Sequence, residues 1–213
     1  MRNSTKCEVR SAKIKVICVA LCFSLLSMAG CARREIKNAD SKGTNIICFG
    51  DSLTFGYGVN PGQDYPTVLA QLLRKAVINA GVDGDTTRTA LQRIRSDVLD
   101  KNPRLVVIEF GGNDFLKKVP KEETISNLKK MVDLVQARGA MVAIVDISAG
   151  MFFAEYRKLY KKLAEESGCI FVPRILSGII TNPSMKSDFL HPNADGYKII
   201  AYRVLFATQP YLK

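Results

Sequence analysis

The 213-residue chain has a single histidine, His191, and no H-E-x-x-H pair. A catalytic zinc usually draws on two or more histidines, which argues against a zinc hydrolase, and neither a metal nor another cofactor is expected. The glycines around residue 56 do not complete G-x-G-x-x-G and no phosphate-binding lysine pattern follows them, which argues against nucleotide binding. The longest apolar run, residues 16–28, falls short of the ~20 residues that cross a bilayer. Internal repeats and a second compositional regime are also missing. The length suits one α/β domain, and 47% hydrophobic with 24% charged residues is the composition of a folded core, not of a disordered chain.

What the first residues do carry is an export signal. Arg2, Lys6, Arg10, Lys13 and Lys15 precede the apolar run, and Ala29-Gly30-Cys31 closes it, giving a basic region, a short hydrophobic region and a small-residue cleavage site. Met28-Ala29-Gly30-Cys31 resembles a bacterial lipobox, with Met28 where Leu, Val or Ile is usual. The resemblance implies a signal peptide over 1–30 and a diacylated Cys31 as the membrane anchor, each buried CH₂ contributing ~0.8 kcal/mol. The other reading is an ordinary cleaved signal and a soluble periplasmic or secreted protein. Residues 31–44 are polar and read as a tether, and the domain follows over 45–213.

Five basic residues against Glu8 give the leader +4 of the formal +11, leaving +7. The remaining basic residues are scattered or lie on helical faces, with no aromatic interleaving and no nucleic-acid motif. They read as a solvated surface, with an anionic membrane or cell wall as the second possibility. No nucleic acid and no obligate protein partner is expected. Of six cysteines, Cys7, Cys18 and Cys22 leave with the signal and Cys31 is taken by the anchor. Cys48 and Cys169 remain. Free buried thiols are the default, and a disulfide in an oxidising compartment is the alternative.

Past residue 44, short apolar runs alternate with amphipathic stretches. Strands are predicted over 45–49, 77–79, 105–110, 141–146 and 169–172, and helices over 65–75, 87–100, 124–137, 153–166 and 193–206, with Asn193 as an N-cap. The alternation predicts a three-layer α/β/α sandwich of flavodoxin-like type around a five-stranded parallel sheet. In such a sheet the site lies beyond the carboxyl ends of the strands.

The unusual residues fall there. Ser52 follows the first strand in "ICFGDSLTFGYG", Gly84 the second in "NAGVDGDTT", and Asn113 the third in "EFGGND", while Asp188 and His191 stand in "DFLHPN" near the C-terminus. Each has a plain structural reading: a turn or cap serine, a glycine turn, a turn asparagine, a surface histidine at a helix start, a capping aspartate. Together they also supply a hydroxyl, a flexible backbone N–H, an amide donor, a base and a carboxylate. A serine hydroxyl attacks only when a base takes its proton and a carboxylate supports that base. His191 is the sole imidazole candidate.

The four blocks, in this order and over nearly all of the mature domain, resemble the GDSL or SGNH hydrolase family. The resemblance implies Ser52 as nucleophile, His191 as base and Asp188 as its orienter. It implies an oxyanion hole of Ser52 N–H, Gly84 N–H and the Asn113 amide, with Gly50, Asp51 and Asp114 in support. The flanking details are similar to bacterial arylesterases and the periplasmic thioesterase/lysophospholipase branch, implying small acyl or aryl esters, lysophospholipids or thioesters as substrates. An O-acetylesterase or acyltransferase acting on envelope polysaccharide would use the same residues, and a non-catalytic surface-binding lipoprotein stands as a third class. Met151, Phe152 and Phe153, after the fourth strand, either line an acyl pocket or pack the next helix into the core.

Overall fold

The computed structural model describes residues 35–148 and 154–212. Among the described residues there are five strands: β1 (Asn45–Gly50), β2 (Val77–Gly81), β3 (Pro103–Glu109), β4 (Met141–Val145) and β5 (Ile170–Val172). All neighbours pair in parallel, in the order β2-β1-β3-β4-β5, the strand order of flavodoxin-like sheets. The helices are α1 (Ser52–Phe55), α2 (Tyr65–Leu73), α3 (Thr87–Asp97), α4 (Gly112–Leu116), α5 (Lys121–Ala137), α6 (Ala154–Glu166) and α7 (Ala194–Thr208). The two short helices α1 and α4 were not anticipated, because four or five residues show no periodicity. Both open directly at the carboxyl end of a strand.

The strands read as continuous apolar runs because both faces of the sheet are covered. Successive side chains alternate between faces, so Ile47, Phe49, Val106, Ile108, Val142 and Ile144 pack with α3, α5 and α6. Ile46, Cys48, Leu105, Val107, Met141 and Ala143 pack with α2 and α7. The result is the expected three-layer sandwich. Among the described residues no helix is long and apolar enough to cross a membrane.

The segment expected as a tether is docked over its second part. Lys37 N–H donates to the Gly168 carbonyl at 2.9 Å, and Asn38 Nδ2 donates to the carbonyls of Gln136 and Ala140 at 2.9 and 3.0 Å. These acceptors lie where β4 and β5 begin, so the chain enters the domain at the end of the sheet opposite the carboxyl termini of the strands. The signal over 1–30 and Cys31 lie outside the described residues.

Cys48 and Cys169 are free. Cys48 belongs to the core on one face of the sheet and Cys169 to the core on the other, which removes the disulfide alternative. Burial pushes each thiol up to about 12, and the thiolate is the reactive form. In the native protein at about pH 8, neither thiol should be alkylated by iodoacetamide, and both should be alkylated after unfolding in guanidinium. Peptide mapping by mass spectrometry checks this; rapid native modification of either cysteine would contradict the buried placement.

Candidate active site

β1 ends at Gly50, Asp51 turns the backbone (φ −97°, ψ −142°), and Ser52 is the first residue of α1, whose N-terminus is capped by Asp51 Oδ1 accepting from Leu53 N–H at 3.1 Å. A Cβ at residue 50 would stand 2.0 Å from Thr54 Oγ1 and 2.7 Å from the Glu109 carbonyl. Only glycine lets α1 fold back this closely over the end of β3. Ser52 is thereby fixed at the carboxyl edge of the sheet with its hydroxyl on the side facing His191.

His191 arrives from a loop that closes on itself. Lys186 and Pro192 form an isolated antiparallel bridge, Ser187 N–H donates to the His191 carbonyl at 3.0 Å, and Asp188 Oδ1 accepts from the backbone N–H groups of Leu190 and His191, both at 2.7 Å. The other carboxyl oxygen, Asp188 Oδ2, meets His191 Nδ1 at 2.8 Å, and His191 Nε2 meets Ser52 Oγ at 3.1 Å. Asp188 is thus a turn cap and the imidazole's partner at once; the two readings of the sequence coincide. Burial works upward on this carboxyl, but the hydrogen bonds from the His191 ring and from the two backbone N–H groups outweigh it and hold Asp188 below the usual carboxylate range. An ionised carboxylate only accepts, so the ring proton sits on Nδ1 and Nε2 is left to accept the Ser52 proton.

Asn113 lies on α4, directly after β3. Its Nδ2 donates to the Asp85 carbonyl at 2.9 Å and approaches Asp51 Oδ2 at 3.3 Å, so the loop after β2 and the end of β1 both aim the amide. Gly84 sits in that loop with φ +73°, a conformation side chains rarely adopt, and its carbonyl accepts from Lys117 Nζ at 2.8 Å. Asp114 is fully buried and accepts from Thr87 N–H at 2.9 Å, from the Thr87 hydroxyl and from the Thr124 hydroxyl. It anchors the start of α3 to α4 and so fixes the Gly84 loop relative to Asn113. All the residues singled out in the four sequence blocks therefore converge on the carboxyl end of the sheet.

A cavity of about 360 Å³ opens at Ser52, Asn113 and His191. Its walls are apolar: Leu53, Phe115, Leu116, Ile147, Leu176 and Leu190. Met151, Phe152 and Phe153 lie outside the described residues. Sequence reading missed these wall residues, since nothing separates a wall leucine from a core leucine before the loops are placed. It also missed Tyr57, whose ring lies 4.4 Å from the His191 ring at 38°, and Arg93. The Arg93 guanidinium pairs with Asp85 at 2.7 Å and donates to the carbonyls of Ala80 and Gly50, clamping the ends of β2 and β1.

Comparison with known proteins gives a consistent result. The GDSL-like lipase/acylhydrolase family model matches residues 48–199. An arylesterase of Vibrio mimicus is 33% identical over 174 residues, covering 76% of this chain and 87% of that one. Thioesterase 1/protease 1/lysophospholipase L1 of Escherichia coli K12 is 29% identical over 173 residues, covering 78% and 83%. The crystal structure of TesA superposes with a TM-score of 0.74 at 26% identity, covering 79% of this chain and 99% of that one.

A hydroxyl in line with a supported imidazole should react selectively with an electrophile. A fluorophosphonate probe is expected to add to Ser52, and the adduct, located by peptide mass spectrometry, should vanish in Ser52→Ala and fall sharply in His191→Ala. Undiminished labelling of Ser52→Ala would put the reactive hydroxyl elsewhere.

Proposed function

This chain belongs to the GDSL-like lipase/acylhydrolase family and is an ester-bond hydrolase, and we propose that Ser52, His191 and Asp188 perform a two-step acyl transfer on esters of apolar acyl groups. The observation that carries this reading is the 3.1 Å contact of His191 Nε2 with Ser52 Oγ at the mouth of an apolar cavity. Ser52 Oγ attacks the carbonyl carbon as His191 takes its proton. The oxyanion that forms is held by Ser52 N–H, Gly84 N–H and Asn113 Nδ2, one amide hydrogen turning to it from Asp51 Oδ2, the longer of the two Nδ2 contacts at 3.3 Å, while the other stays on the Asp85 carbonyl. His191 then gives the proton to the leaving alcohol or thiol, and the C–O or C–S bond breaks to leave an acyl-Ser52. Water, deprotonated by His191, releases the acid and restores the serine. Asp188 supports the imidazolium in both steps.

The cavity walls accept an alkyl or aryl group, since apolar surface is what such a group needs to leave water. Acyl or aryl esters, lysophospholipids and acyl thioesters are the substrate class. Export and acylation of Cys31 complete the proposal, supported by the basic leader and its small-residue cleavage site.

Three outcomes test these roles. Ser52→Ala and His191→Ala should each lose ~10⁶ in kcat, the loss expected when nucleophile and base act as one unit. Asn113→Ala should lose ~10²–10³, the worth of one oxyanion donor; near-wild-type turnover by that variant would remove its role. Across aryl esters from acetyl to dodecanoyl, the optimum should lie beyond acetyl, whereas a sharp acetyl optimum would favour an O-acetylesterase. Separately, Cys31→Ser should move the protein from the membrane fraction to the soluble fraction, and unchanged membrane retention would refute the lipid anchor.

A further inference from the structure

One guanidinium stands where the segments carrying the oxyanion donors meet. The side chain of Arg93, on α3, is 18% exposed, a burial that a charged group takes only with partners. Its Nε and Nη2 meet Asp85 Oδ2 at 2.8 and 2.7 Å. Nη2 also donates to the Gly50 carbonyl at 3.0 Å, and Nη1 to the Ala80 carbonyl and Asp97 Oδ2, both at 2.9 Å. The guanidinium carbon lies over the Phe49 ring, 4.5 Å from its centroid, so packing on β1 and hydrogen bonds both fix the group.

The acceptors lead to the donors of the reaction. The Gly50 carbonyl belongs to the peptide one unit before Ser52 N–H. Asp85 follows Gly84, and its own carbonyl takes one hydrogen of the Asn113 amide at 2.9 Å, so the hydrogen that turns to the oxyanion pivots on that bond. The Asp85 carboxyl is engaged on both sides, Oδ2 by Arg93 and Oδ1 by Thr86 N–H at 3.1 Å and the Thr89 hydroxyl. Packing does not hold Gly84 in place: it has φ +73°, and a Cβ there would meet no atom within 4 Å. Val82 N–H ties the start of the loop to the Gly50 carbonyl at 3.1 Å. Arg93 ties the far end, past Gly84, to the same carbonyl.

We infer that Arg93 is a positioning residue of the oxyanion hole: by closing Asp85 onto the Gly50 carbonyl it sets the spacing of Ser52 N–H, Gly84 N–H and the Asn113 amide. This rests on those three groups serving as the oxyanion donors. They come from three segments of chain, and each acts only within about 2.7–3.1 Å of the oxyanion. A displacement of about 1 Å in one segment is enough to lose a donor. The guanidinium spans the acceptors because its N–H groups are held in one plane, whereas the point charge of a lysine reaches one of them.

Arg93→Lys keeps the charge and the aliphatic stem, yet should lose roughly 10–100-fold in kcat at unchanged KM, because the donors hold the oxyanion more strongly than the substrate carbonyl. In Arg93→Ala the loss should be at least as large, and millimolar guanidinium chloride should restore part of it where the same concentration of sodium chloride does not. Asp85→Asn gives up the carboxylate but keeps the main-chain carbonyl for Asn113, and should also lose kcat. Active-site titration with the fluorophosphonate, run to completion, normalises each rate to folded enzyme.

An alkyl trifluoromethyl ketone reads the hole directly. Ser52 Oγ adds to its carbonyl carbon, the serine proton passes to His191, and the carbonyl oxygen becomes an oxyanion. Its inhibition constant should rise in Arg93→Lys by the factor by which kcat/KM falls. A role confined to folding would lower the amount of active enzyme and leave that constant alone. Wild-type kcat in Arg93→Lys or Asp85→Asn, a loss confined to KM, no rescue of folded Arg93→Ala by guanidinium, or an unchanged inhibition constant would each overturn the inference. Arg93→Lys and Asp85→Asn are the smaller changes, so they decide even if Arg93→Ala does not fold. If Asn113→Ala keeps full activity and binds the ketone as tightly as wild type, the oxyanion-donor reading fails instead.

Discussion

The parallel pairing of β1 with β3 is the constraint on which the site depends. The ladder sets Gly50 opposite Glu109, and from those two strand ends the chain reaches Ser52 in two residues and Asn113 in four. Hydroxyl and amide are therefore held together by backbone geometry, with no direct bond between the side chains required. α1 and α4, both very short, are what that geometry produces when each chain turns immediately after its strand. Shifting the β1–β3 register would move the two groups apart and, since side chains alternate faces, would also exchange the two cores.

The remaining parts are tied to this frame by hydrogen bonds that span the loops. Asp114 holds the start of α3 to α4 through Thr87, Arg93 ties the ends of β1 and β2 together, and Asp85 offers its carbonyl to Asn113. The His191 loop needs fewer outside supports, because Asp188 folds it around its own backbone amides. The Tyr57 ring then rests against the imidazole, and the Tyr57 carbonyl accepts from Tyr197 at 3.0 Å, linking that contact to α7.

Two carboxyl groups near the imidazole take different forms because their surroundings differ. Asp188 is partly exposed and accepts three hydrogen bonds, so it is ionised and can support a positive charge on His191. Asp51 is buried, and burial lifts its carboxyl to about 6. Separating the ionisation of like groups by environment is a general way to assign them distinct tasks.

The sequence alone determined the fold class, the order of the strands and of the five longer helices along the chain, and the polar residues that gather at the strand ends, because each rests on local signals: apolar runs, amphipathic spacing and chemically unusual residues placed just after strands. Ser52, Asn113, Asp188 and His191 were legible for that reason. The tertiary structure alone decided that Cys48 and Cys169 lie on opposite faces of the sheet, that residues 36–44 dock rather than hang free, and that Leu116, Ile147 and Leu176 line the cavity at Ser52. It alone also set Glu109 against Thr54. That pair is separated by 55 positions in the chain, and a glutamate ending an apolar strand gives no sign of which neighbour it will meet. Contacts of this kind arise from the packing of strands and helices that are distant in sequence, and no local pattern records them.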